Sequence, residues 1–167
     1  MTDTSSNTNA QDEEDTGKLL VEIVSALNVP NVDGSGEPDP FVVVCDTKGE
    51  ILHQTAVLYN AEFPIWSLEC GSLFLVDTSQ RSIVFLLKEH QRLRSDPTLG
   101  TLELEMEELV KCTGQRIEYP LVVPQNIVDM TKSMQSTIVR KVSYSQNCSA
   151  TFCNILLLII TNRPDWC

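Results

Sequence analysis

The sequence predicts an all-β fold, an eight-stranded antiparallel β-sandwich. Two observations carry this reading: short apolar runs recur between turn-forming residues, and no sustained helical period interrupts them. Residues 19–24 form the first run. A turn-rich stretch over 31–40 leads into the β-branched run 41–45. Asp46-Thr47-Lys48-Gly49-Glu50 then reads as a hairpin turn into a strand over 51–58. Further strands are expected over 68–76 and, after a turn at 77–80, over 82–87. Residues 102–106 alternate Leu and Glu, as a strand with one wet face does. A run over 117–122 follows, its Pro120 restricted to an edge or a strand end. Residues 155–161 supply the last strand.

Two segments stand apart. Residues 1–17 hold five acidic groups, no Lys or Arg, and nothing apolar larger than Ala after Met1. Burial cannot offset the entropy of ordering such a stretch, so an acidic disordered tail is expected. Residues 124–154 are rich in Gln, Ser, Thr, Asn and Met, and read as a polar insertion before the last strand. Residues 137–145 are a candidate additional strand there. Met130 and Met134, four apart, would share one face of a short helix, with a packing role.

Charge and composition exclude several functions. The 167 residues carry 12 Lys plus Arg against 23 Asp plus Glu, a formal charge of −11. Without the tail the balance is still −6, which opposes general nucleic-acid binding. The longest apolar run, 155–160, is far shorter than the roughly 20 residues of a spanning helix. No basic, apolar leader opens the chain, so a cytoplasmic protein is expected, attached to membranes at most peripherally. The six cysteines, at 45, 70, 112, 148, 153 and 167, are then expected as reduced thiols. There is no C-x-x-C pair for zinc and no nucleophile elbow, phosphate loop or H-E-x-x-H, so no enzyme is expected. Glu107-Glu108 reads as solvated surface, and Trp66 as core.

Three motifs are more specific. Asp33-Gly34-Ser35-Gly36-Glu37-Pro38-Asp39-Pro40-Phe41 resembles the first calcium-binding loop of the C2 domain family, Asp-x-x-Gly-x-x-Asp-Pro-aromatic. Phe63-Pro64-Ile65-Trp66 is similar to that family's Asn-Pro-x-Trp turn, with Phe63 replacing Asn. Residues 81–87 followed by Asp96-Pro97-Thr98-Leu99-Gly100 resemble the strand, third loop and exit of the same family. Order and spacing agree over residues 18–123. The resemblance implies a C2-like domain over 18–163, in the permutation whose extra strand is C-terminal and pairs beside the first. It also implies three loops at one end that bind calcium and phospholipid headgroups.

Calcium takes six to eight oxygen ligands. The resemblance assigns Asp33 and Asp39 in loop 1, and Glu89 and Gln91 where loop 3 of the family carries its first aspartates. The later loop-3 ligand positions fall on Arg94 and Pro97, with Asp96 one position off. Three carboxylates beside Lys88, Arg92 and Arg94 suit a divalent cation poorly, so calcium is expected to bind weakly or not at all. The same residues suggest a different site: Lys88, His90, Arg92 and Arg94, with Leu93 as an apolar wedge, facing an anionic phospholipid surface. The competing reading pairs those arginines with Asp33, Asp39, Glu89 or Asp96. The lysine cluster that many C2 domains use for phosphoinositides is missing from 51–58, where His53 and Gln54 stand. The functions left are a peripheral membrane-binding module with little calcium dependence, or a calcium-independent protein-interaction scaffold.

Overall fold

The computed structural model describes residues 17–32, 36–139 and 153–161. The expected tail, apart from Gly17, lies outside them, as do Cys148 and Cys167. Eight strands form two four-stranded sheets: β1 (Lys18–Leu27), β2 (Pro40–Asp46), β3 (Ile51–Gln54), β4 (Leu73–Asp77), β5 (Ser82–Glu89), β6 (Thr98–Glu105), β7 (Arg116–Pro120) and β8 (Asn154–Thr161). The first sheet runs β4-β1-β8-β7 and the second β3-β2-β5-β6, every ladder antiparallel. The all-β sandwich expected from short apolar runs between turns is what the chain forms. β8 lies between β1 and β7, with Leu20 opposite Ile160 and Tyr119 opposite Ile155.

Alternating residues of the two sheets interdigitate between them. Val21 and Ile23 of β1, Val42 and Val44 of β2, Ile83, Phe85 and Leu87 of β5, and Ile155, Leu157 and Ile159 of β8 are fully buried there. Removing this much aliphatic and aromatic surface from water is the main term favouring the fold, at about 25 cal/mol per Å² of apolar area. Trp66 is buried and donates its indole N–H to the Ala56 carbonyl at 3.2 Å. Cys45, Cys70, Cys112 and Cys153 are free thiols. Pro120 closes β7, an edge strand, where its missing N–H costs no ladder bond.

Three expectations need correction. The strand placed over 51–58 stops at Gln54. Thr55 exchanges backbone and side-chain bonds with Val42, and the chain then crosses toward the other sheet, with Ala56 N–H on the Cys70 carbonyl. The run 68–76 opens as a 3-10 turn, Leu68–Cys70, ended by Gly71 at φ 70°, and β4 starts only at Leu73. Residues 124–154 are not a loop throughout. Helices α1 (Met106–Lys111) and α2 (Gln125–Val139) are present; α2 covers the segment where Met130 and Met134 suggested a short helix, whereas α1 falls where the end of a strand was expected. Residues 137–139, read as the start of an extra strand, close α2; 140–145 lie outside the described residues. Pro124 starts α2 by accepting the N–H groups of Ile127 and Val128, and Ile127 is buried against the sandwich.

Candidate functional site

The β1–β2, β3–β4 and β5–β6 connections meet at one end of the sandwich, and α2 begins beside them. Their joint is built from carboxylates taking backbone N–H groups. Glu89, the last residue of β5 and only 3% exposed, accepts the Asp39 N–H at 3.0 Å. The Asp39 carboxylate takes the Asn60 N–H at 2.7 Å, and the Asp39 carbonyl takes the His90 N–H at 2.9 Å. One residue thus ties all three connections together. Asn60 follows in the left-handed region, at φ 53°, a conformation Asn tolerates better than most residues.

The β5–β6 loop is clasped at its base. Asp96 Oδ1 accepts the Gln91 N–H at 2.8 Å and lies 3.3 Å from His90 Nδ1. His90 stands edge-on to Tyr59, ring centroids 6.0 Å apart. Between these anchors Arg92, Leu93, Arg94 and Ser95 project into solvent, Leu93 at 97% exposure. Neither arginine makes an ion pair among the described residues, and the pairings expected with Asp39, Glu89 and Asp96 are not formed; those carboxylates instead take backbone N–H groups and, at Asp96, His90. Two further apolar side chains reach outward at this end: Tyr59 at 57% exposure and Phe63 at 65%. Phe63 is placed by its neighbours, since Ala61 N–H binds the Pro38 carbonyl and the Pro64 carbonyl accepts Ala26 N–H.

A cleft of about 1000 Å³ opens between the β5–β6 loop and α2. His90, Gln91, Arg92, Leu93 and Arg94 form one wall, Asn126, Ile127 and Met130 of α2 the other, and Asp39, Tyr59 and Asn60 close it. Of the residues read from sequence, these gather Asp39, Gln91, His90, Arg92, Leu93 and Arg94. Lys88 stands apart. It alternates with Leu87 and Glu89, so it lies half-buried on the outer face of the second sheet, opposite Phe41. Asp33 lies outside the described residues. The Tyr59–Asn60 corner had no motif to announce it. For the α2 wall, the spacing of Met130 and Met134 pointed to a helix without placing it at the site, and Pro124 before a segment containing Ile127 was a signal of its start.

The donor set fits calcium poorly. Asp39, Glu89 and Asp96 are already acceptors for backbone N–H groups, Gln91 contributes a backbone donor, and two arginines crown the loop. Among the described residues no three His, Cys, Asp or Glu side chains are grouped to hold a metal.

The sequence model of the C2 domain matches residues 17–121. The chain belongs to the C2 domain family. No curated protein matches it in sequence. Among solved structures it is similar to the first of the C2 domains, domain A, of a plant extended synaptotagmin 1, at 16% identity and TM-score 0.56, covering 89% of this chain and 97% of that one. It is similar to the paired C2 domains, A and B, of an extended synaptotagmin 2, at 12% identity and TM-score 0.57, covering 96% and 47%. It also resembles human GIVD cytosolic phospholipase A2, at 15% identity and TM-score 0.54, covering 88% of this chain and 17% of that enzyme. At such identities the likeness is one of fold. C2 domains are typically non-catalytic modules that bind membranes, lipids or partners. No described helix of this C2 domain is long and apolar enough to cross a membrane.

Proposed function

We propose that this C2 domain docks peripherally on anionic phospholipid surfaces through its loop-bearing end, without requiring calcium. The observation that supports it is Leu93, wholly exposed between two exposed arginines that make no ion pair among the described residues. An exposed leucine held outward gains by entering the headgroup region, and each flanking guanidinium contributes about 1 kcal/mol at an anionic leaflet. Tyr59 and Phe63 extend the apolar contact. The net acidity of the domain does not cancel this attraction. Charges farther than the roughly 8–10 Å Debye length are screened, so the tip that touches the surface decides the sign.

The roles differ by residue. Arg92, Arg94 and His90 face the headgroups, Leu93 enters between them, and Asp96 holds the loop in shape. Lys88 adds positive charge from the sheet face behind. Sedimentation with phosphatidylcholine vesicles, with and without phosphatidylserine, in EGTA and in calcium, tests the reading. Binding that needs phosphatidylserine and is equal in EGTA and calcium supports it. Equal sedimentation with and without phosphatidylserine overturns the lipid reading, and binding seen only with calcium overturns the rest.

A further inference from the structure

The outer face of the first sheet departs from the pattern of a water-facing sheet. A strand with one wet face alternates apolar and polar residues. β8 does not: Ile155, Leu157 and Ile159 point into the core, and Leu156, Leu158 and Ile160 point out, only partly covered. The neighbours continue the apolar surface. Leu20 of β1 lies between Ile160 and Leu75, and Leu73 precedes Leu75 on the same face of β4. Leu75 is 51% exposed. Contiguous apolar surface of this kind on a sandwich marks a contact face.

The charges on this face indicate what covers it. Glu22 of β1 and Arg116 of β7 both stand opposite Leu158, one strand to either side, and neither makes an ion pair among the described residues. Adjacent strands are about 4.8 Å apart, so the two charges flank the leucine symmetrically. A two-fold axis lying in the face and running along β8 would turn a second copy over. It would set Leu156, Leu158 and Ile160 on their own counterparts. It would also bring Glu22 of each copy against Arg116 of the other. An isologous contact requires such self-complementarity, and two sheets packed face to face bury side chains in a layer about 10 Å thick.

We propose that the outer face of the β4-β1-β8-β7 sheet is a homodimer interface, with β8 as its seam and two Glu22–Arg116 pairs across it. This face is distinct from the loop-bearing end and does not depend on lipid binding there. The test is the mass of the full chain by sedimentation equilibrium over a concentration series. A concentration-dependent dimer is expected. Glu22→Arg and Arg116→Glu should each raise the dissociation constant about tenfold or more, and the two together should restore it to within a few-fold of the original. Leu158→Glu should give a monomer; because it risks the fold, the charge exchange carries the decision. A monomer at every concentration up to submillimolar overturns the proposal. So does a dimer that the single charge reversals leave unchanged, or one that the exchange does not rescue.

Discussion

The Glu89 carboxylate accepts the backbone N–H of Asp39 at 3.0 Å, joining the end of β5 to the segment that enters β2. Two residues that the family resemblance assigns to a shared cation are here bonded to each other. A buried carboxylate taking a backbone N–H replaces part of the attraction a metal would supply. Glu89→Ala should therefore destabilise the domain by about 1.5–3 kcal/mol, the usual worth of a hydrogen bond to a charged group. Glu89→Gln keeps an acceptor and should lose less. Urea midpoints of the three proteins measure this, and equal losses for both variants would contradict the assigned role. Added calcium should leave the midpoint of the parent protein unchanged.

Gly100 is held by a neighbour rather than by its backbone angles. A Cβ at this position would lie 2.8 Å from Leu121 Cβ and 3.0 Å from its Cδ1. Leu121 cannot retreat, since it is buried and its N–H binds the Cys153 carbonyl at 2.8 Å. Gly100→Ala should cost about 1–3 kcal/mol, as overpacking does. Adding Leu121→Gly removes the Cβ as well as the Cδ1 and should relieve the clash, so that the double variant is more stable than the sum of the two single losses implies. Additive losses would show that the contact is not the cause.

Much of this fold was legible, and the illegible parts share a reason. β6 alternates because one face is buried and the other wet, and its period of two reads directly from sequence, whereas β1 and β5 were found as short apolar runs between turn-forming residues. β8 lacks alternation and was found as a short apolar run between polar stretches. α2 was legible only in part: Met130 and Met134, four apart, pointed to a short helix, but its many Gln, Ser and Thr residues made the segment read as a polar insertion and hid its full extent. The third loop was legible in composition, through Arg92, Leu93 and Arg94. Its wiring was not: that His90, not an arginine, takes Asp96 depends on how the loop folds back on itself.

Burial pushes the Cys153 thiol up to about 12 from an ordinary value near 9. The unfolded chain then ionises first. The stabilising contribution is whole below about pH 9 and is lost progressively as pH rises toward 12, at up to about 1.4 kcal/mol per unit. Tyr119, raised by burial and by its hydroxyl's contact with Cys112, adds a loss of the same sign at higher pH. Urea midpoints at pH 8, 9 and 10 should fall with pH, and Cys153→Ala should flatten that fall by roughly one proton. Parallel curves for the two proteins would refute it. Native Cys153 should also resist a thiol reagent that labels it after unfolding.

Arg92 and Arg94 carry the electrostatic share of the proposed docking, and Leu93 the apolar share, so salt should separate them. Replacing both arginines by Ala removes roughly 2 kcal/mol at an anionic leaflet, about a 30-fold loss of vesicle affinity at low salt. Raising the ionic strength weakens the parent in the same direction, and the gap between parent and variant should close as the Debye length shrinks. Leu93→Ser should instead lower affinity by a factor that salt leaves almost constant, since burial of an aliphatic side chain is not screened. An arginine effect that persists at high salt would mean those side chains shape the loop rather than meet headgroups. A Leu93 effect that disappears with the arginines would mean that the loop enters the bilayer only after charge has brought it there.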